Sequence, residues 1–258
     1  MTRNLKELLA SDDVILGTWS QIAAPEMIDL IGLNGFEFTI IDCQHGPFGL
    51  QTADTLARAA DANDIACAVR LAENDPVTIM KALDAGIRHV VIPNLETAEQ
   101  AALAVSATQF GPHGLRGACP CCRSGGHFIR NWRDYVAQEE ARVGAIALVE
   151  THKGVENIEA IAQTPGLAAL MFGPFDLSVS LGLEGDWRHP RVRDSLNRML
   201  DAAQKAKVPV MMPVFSTNKS ECVELVSGWA DKGVTNFIIG SDKIIVADAF
   251  LDWSERLR

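Results

Sequence analysis

An aspartate and a histidine three residues apart, Asp42 and His45, stand where an apolar run ends and a Gly46-Pro47 break begins. A carboxylate and an imidazole so placed can hold and move a proton. A second pair of acids, Glu150 and Asp176, also follows apolar runs, the latter after a short Gly173-Pro174 turn. Two carboxylates that leave coordination positions open suit a hard cation such as Mg²⁺ or Mn²⁺. Paired carboxylates also serve glycosidases, but those need sugar-stacking aromatics, and the aromatic fraction here is only 6%. Arg70 closes Ala68-Val69-Arg70, where a planar guanidinium can clamp a carboxylate or hold developing negative charge. Each residue also has a purely structural use. Asp42 or Asp176 could cap a helix, and Arg70 could sit in a salt bridge to Asp42 or Glu150. Asp84 falls at a predicted helix end, against the dipole. It is either solvated or held by a specific partner, for which a histidine is the candidate.

Other reactive residues are less well placed. The cluster Cys119-Pro120-Cys121-Cys122, with His113 and His127 nearby, lacks the second ligand pair of a structural zinc site and leaves a reactive-thiol reading open. The histidines at 89, 152 and 189 are expected to be structural or exposed. No lysine falls inside a predicted strand, which argues against a Schiff-base nucleophile; Lys153 is the nearest. Ser20, Ser216 and Ser241 end strands without a nucleophile-elbow motif.

The elements that must position these groups alternate from end to end. Strands are expected over residues 14–19, 36–41, 66–70, 89–92, 143–149, 167–172, 208–212 and 237–239. Helices are expected over 24–31, 50–62, 76–85, 97–107, 155–162, 219–231 and 244–257. Apolar runs separated by helical periods are the pattern of βα units on a parallel sheet. Eight of them match a (β/α)₈ barrel, whose post-strand loops build the active site. A doubly wound open sheet is the rival, but no Gly-x-Gly-x-x-Gly follows the first strand. One connection, 109–131, is too long for an ordinary turn, and is expected to cover the pocket.

The chain has 258 residues, 48% of them hydrophobic and 22% charged, enough for one barrel domain spanning 1–258. A net charge of −10 argues against nucleic acid or an anionic membrane as partner. No apolar segment reaches membrane-spanning length. The stretch from Met1 to Glu7 lacks the apolar core of a secretory signal. Six cysteines without such a signal imply free thiols in a reducing cytoplasm.

Taken in order, Asp42-x-x-His45-Gly46-Pro47, Val69-Arg70, Leu83-Asp84-Ala85-Gly86, Val149-Glu150-Thr151 and Gly173-Pro174-x-Asp176-Leu177-Ser178 resemble the HpcH/HpaI aldolase family. These are metal-dependent class II pyruvate aldolases related to the citrate lyase β-subunit superfamily. The resemblance runs from about Gly17 to Ser241. It implies a (β/α)₈ barrel and an oligomer, often a hexamer built from dimers that exchange a C-terminal helix. Glu150 and Asp176 would bind a divalent Mg²⁺, Mn²⁺ or Co²⁺. His45 would be the base, its basicity raised by Asp84, with Asp42 beside it, and Arg70 would stabilise an enolate. Backbone at Gly173, Pro174 and Phe175 would hold the pyruvate carboxylate, with Trp19 and Leu148 against the substrate.

That resemblance implies cleavage of a 4-hydroxy-2-oxo acid to pyruvate and an aldehyde. Alternatives on the same site are oxaloacetate decarboxylation and a macrophomate synthase-like activity. A non-catalytic acid-binding barrel and a thiol-based sensor are readings of other classes. Two positions depart from many relatives: Leu148 stands where they carry Gln, and Phe175 where they often carry Ala.

Overall fold

Each predicted strand hydrogen-bonds to the next, and the eighth returns to the first, in the computed structural model, which describes residues 3–258. Met1 and Thr2, part of the N-terminal stretch considered above, lie outside the described residues. The strands are β1 (Ile15–Ser20), β2 (Phe38–Asp42), β3 (Ala66–Arg70), β4 (His89–Ile92), β5 (Gly144–Val149), β6 (Ala169–Phe172), β7 (Val210–Val214) and β8 (Asn236–Ser241), all parallel. Around them run α1 (Leu5–Leu9), α2 (Pro25–Leu33), α3 (Leu50–Ala62), α4 (Pro76–Asp84), α5 (Ala98–Thr108), α6 (Trp132–Arg142), α7 (His152–Glu156), α8 (Ile158–Ala162), α9 (Pro174–Ser180), α10 (Pro190–Ala206), α11 (Lys219–Ala230) and α12 (Asp242–Arg256). This is the closed eight-stranded α/β barrel expected from the alternation.

Two apolar cores follow from the period-two alternation of strand side chains. Ile41, Val69, Val90 and Val149 point outward, against the helices. Ile15, Trp19, Phe38, Ile40, Ala66, Ala68, Ile146, Leu148, Ala169 and Met171 point inward and fill the barrel. Leu5 and Leu9 of α1 join that inner core, so α1 plugs the end of the barrel where the strands begin.

Helices α1, α6, α9 and α10 are not among those expected, and three departures have a clear physical reason. The single helix expected over 155–162 is instead two short ones, α7 and α8, meeting at Asn157, whose side-chain amide donates to the carbonyl of Glu96 at 2.8 Å. The 17-residue α10 is hidden from a search for apolar runs because charges fill the positions between its buried Val192, Leu196, Met199, Leu200 and Ala203. Their spacing of 4, 3, 1 and 3 residues nonetheless traces one helical face. Finally, the 109–131 connection does not cover the pocket. It leaves the end of α5 and leads towards the start of β5, so it belongs to the opposite mouth of the barrel. Arg123 anchors it there, donating to the carbonyl of Ala85 at 2.6 Å and pairing with Asp61 at the end of α3. Loop length predicted a lid, but in an α/β barrel the direction of the connection decides the face.

His89 opens β4 fully buried, with neither ring nitrogen hydrogen-bonded. Burial, reinforced by Lys6 and Arg88, depresses its pKa from 6.5 to about 3. A depressed histidine contributes stability that is complete above pH 6.5 and is lost as pH falls towards 3. We expect unfolding free energy to drop by about 2 kcal/mol between pH 7 and pH 5 from this group alone. Urea titrations of wild type and His89→Leu across that window test it; parallel pH slopes would discharge His89.

Candidate active site

The alternation that fills the barrel also sets what stands at its open mouth. Positions 38 and 40 of β2 face inward, so Asp42 does too; 66 and 68 of β3 bring Arg70 inward, and 146 and 148 of β5 bring Glu150 inward just past the strand. Asp42 and Arg70 are register partners on neighbouring strands, which puts their side chains at one level. They meet in a fork: Arg70 Nε donates to Asp42 Oδ1 at 2.9 Å and Nη2 to Oδ2 at 2.6 Å. Gln21 Nε2 also donates to Oδ2, at 2.8 Å, and the backbone N–H groups of Gln44 and His45 donate to Oδ1. Burial alone would raise the Asp42 pKa, but Arg70, Gln21 and the His45 amide outweigh it and hold it below the usual carboxylate range. Asp42 therefore caps no helix; it orients Arg70 and the loop that carries His45. Arg70 is fixed on its other side by the Trp19 ring, 4.2 Å from its guanidinium carbon.

A lysine keeps the charge of Arg70 but not its fork. Arg70→Lys should lose about 1–3 kcal/mol of stability, the scale for stranding part of a buried charged hydrogen-bonded pair, and turnover with it. An unchanged urea midpoint together with unchanged turnover would make the fork dispensable.

Arg70 and Glu150 wall a cavity of about 650 Å³, together with Trp19, His45, Leu148, Gly173, Pro174, Phe175 and Asp176. That is the size of a small-molecule site. Glu150 is nearly fully buried, and its Oε1 accepts the backbone N–H of Asn94 at 2.9 Å. Burial pushes its pKa up to about 7 against that hydrogen bond, and the negative charge of Asp176 adds to the rise. Gly173 makes room for this carboxylate, since a Cβ there would fall 2.7 Å from Glu150 Oε2. Asp176 lies in the first turn of α9 behind Pro174, exposed and on the cavity wall. The pair is short of positive charge, and both acids are hard oxygen donors. Among the described residues no three His, Cys, Asp or Glu side chains converge, so a cation here would draw only two ligands from the protein.

His45, Glu150, Asp176, Arg70, Trp19, Leu148, Gly173, Pro174 and Phe175 thus come together, with Asp42 buried behind Arg70. Asp84 does not. It ends α4, which starts beyond β3 and runs back along the barrel for roughly 13 Å, the length of nine helical residues. Its partner is not a histidine: Arg116 Nη2 donates to Asp84 Oδ1 at 3.0 Å, and Arg116 also pairs with Glu139. Within one chain, Asp84 anchors the long connection at the far mouth and has no contact with His45.

The cavity also contains residues not singled out from sequence. Gln21 follows β1 and Phe215 follows β7, so the strand-end rule that found Arg70 reaches both. Trp187 lies in the segment between α9 and α10, where no sequence signal marks it.

A family model described as HpcH/HpaI aldolase/citrate lyase matches residues 16–245. The chain belongs to that family. It is an enzyme of the HpcH/HpaI aldolase type, as its motifs imply. It is 37% identical over 211 residues to a hydroxypyruvate/pyruvate aldolase from Chromohalobacter salexigens, covering 80% of this chain and 81% of that one. Identity to a 5-keto-4-deoxy-D-glucarate aldolase from Klebsiella pneumoniae is 32% over 239 residues, 92% and 90% of the two chains. Among solved structures, an HpcH/HpaI aldolase/citrate lyase family protein from Burkholderia cenocepacia superposes with a TM-score of 0.90 at 30% identity, over 98% of both chains.

Proposed function

We propose that this aldolase cleaves a 4-hydroxy-2-oxo acid to pyruvate and an aldehyde, with a divalent cation held by Glu150 and Asp176. The observation that carries the reading is the convergence of that acid pair, Arg70 and His45 on one cavity at the mouth where barrel loops do chemistry. The cation, Mg²⁺, Mn²⁺ or Co²⁺, supplies Lewis acidity to the oxygens of a bound 2-oxo acid.

The protein's own groups do the rest. N–H groups at the start of α9 would receive the substrate carboxylate, and Pro174 lets the chain turn there without adding an unpaired N–H. His45, exposed at the rim, takes the proton from the C4 hydroxyl as the C3–C4 bond breaks. The electron pair stays on the pyruvate fragment, where Arg70, pinned by Asp42 and Trp19, stabilises the negative charge. Leu148, Phe175, Trp187 and Phe215 form an apolar side of the cavity, suited to an aldehyde with little polar surface. Release of pyruvate from a panel of 4-hydroxy-2-oxo acids, with metal present, tests the reading. Turnover of oxaloacetate alone, yielding carbon dioxide and no aldehyde, would replace it with decarboxylation.

Assembly belongs to the same proposal. Helix α12 leaves Phe250 71% and Trp253 64% exposed, with Leu251 and Leu257 beside them. An apolar stripe of this size on a charged protein is expected to be covered. We place it in a helix exchange between two copies, repeated in a hexamer of three such dimers in the cytoplasm. Substrate and product are small molecules, with neither nucleic acid nor membrane as partner; no helix among the described residues is long and apolar enough to cross a bilayer. Phe250→Ser combined with Trp253→Ser should shift the sedimentation coefficient to a smaller species. An unchanged coefficient would remove α12 from the interface.

A further inference from the structure

Three of the six cysteines fall within four positions, Cys119-Pro120-Cys121-Cys122, at the mouth opposite the cavity. Pro120 and Cys121 form the corner of a turn. The Cys122 thiol folds back over it, its Sγ 3.3 Å from the carbonyl oxygen of Cys119. Such a turn holds its first and fourth Cα atoms within about 7 Å, and a disulfide bridges Cα atoms about 4.4–6.8 Å apart. Backbone hydrogen bonds fix the turn from both sides: Ile129 N–H donates to the Pro120 carbonyl and His127 N–H to the Cys122 carbonyl, each at 2.9 Å. With Pro120 also presetting its own φ, little chain freedom remains to be lost on cross-linking.

Access separates this cluster from other thiols of the chain. Cys119 and Cys121 are exposed and Cys122 is half-buried. Burial pushes the Cys43 thiol up to about 11 and the Cys67 thiol up to about 12, which takes both out of thiolate chemistry near neutral pH. Cys121 sits at the corner of the turn, whereas Cys122 already lies against the backbone of Cys119.

We propose that Cys119 and Cys122 form a reversible thiol–disulfide site that exchanges with low-molecular-weight disulfides. The thiolate of Cys119 attacks one sulfur of the small disulfide, forming a mixed disulfide and releasing one small thiol. The thiolate of Cys122 then attacks Cys119 Sγ, closing the protein disulfide and releasing the second thiol. Two protein thiols are oxidised and one small disulfide is reduced to two thiols, so electrons and protons balance. Closure draws Cys122 away from Ser124 Oγ, now 3.2 Å from its sulfur, while Ser124 keeps Tyr135 at 2.7 Å and Arg116 keeps Asp84 and Glu139. The site is independent of the aldolase reading.

The test equilibrates full-length reduced protein with glutathione and glutathione disulfide, quenches with acid, alkylates, and measures intact mass. Cys121→Ser, which removes the exposed third thiol, should lose two alkylatable thiols and retain no glutathione, and wild type should close the same pair. In the Cys121→Ser background, Cys119→Ser and Cys122→Ser should fail to close and instead carry one glutathione on the remaining cluster thiol. Six alkylatable thiols on wild type in fully oxidised glutathione, stable glutathione on Cys121→Ser, or loss of closure in Cys121→Ser would each overturn the assignment. Circular dichroism of each variant confirms that closure is being read on folded protein.

Discussion

Stripping divalent metal will abolish pyruvate formation, and Mg²⁺, Mn²⁺ or Co²⁺ will restore it. Glu150 is the reason. A carboxylate this deeply buried, given one backbone N–H, a second acid and an Arg70 already paired with Asp42, has too little positive charge beside it to offset its burial. Glu150→Gln and Asp176→Asn each remove a formal negative charge from a hard-oxygen site, so each should lower metal affinity and cut turnover by at least about a hundredfold, the scale of several kcal/mol of Lewis-acid stabilisation. The folding signature runs the other way. The Glu150 pKa is raised from 4.5 to about 7, so in metal-free protein its stability contribution is lost as pH rises through that window. Metal-free Glu150→Gln should therefore have a higher urea midpoint than metal-free wild type above pH 7. No imine is expected because, among the described residues, no lysine lies in the eight strands or on the cavity wall. Borohydride with pyruvate should leave the protein unlabelled; a trapped lysine in an enzyme fully active in chelator would sink both carboxylate assignments.

The second large effect is expected at His45. His45→Ala should keep the fold, metal binding and pyruvate affinity while kcat falls about 10²–10⁴-fold, the usual contribution of a general base. Its ring stands exposed at the cavity rim, and only its backbone N–H is held, by Asp42. Truncation thus removes a proton acceptor without opening a hole in the core. A folded, metal-loaded variant with wild-type kcat would take His45 out of the reaction.

Strand parity explains how much of this was legible in the sequence. Asp42, Arg70 and Glu150 each continue an inward-facing series of apolar residues, so an apolar run ending in a charge marked both a strand and the place where it opens to the mouth. β3, β4 and α3 fall at the residues expected for the same reason: short apolar or periodic runs bounded by breakers. Asp84 shows the limit. A motif fixes its position on a helix but not the end of the barrel to which that helix carries it, and within one chain that end lies away from His45. Arg116, its partner, lies 32 residues away, beyond any local pattern. Trp187 was silent because an aromatic in an irregular segment has no period to betray where it points.

The seam between first and last strands has a temporal meaning as well. Asp242, at the start of α12, accepts the backbone N–H groups of Gln21 and Ile22, and β8 pairs along β1. These contacts join residues more than two hundred positions apart in the chain. A polypeptide emerging from the ribosome can pair β1 with β2 early, yet β1 keeps one unsatisfied edge until β8 has been synthesised. Gln21, which steadies Asp42 behind Arg70, is tethered by that final closure. Catalytic competence therefore waits for β8 and the start of α12, and a chain cut before β8 leaves an open strand edge rather than a smaller enzyme.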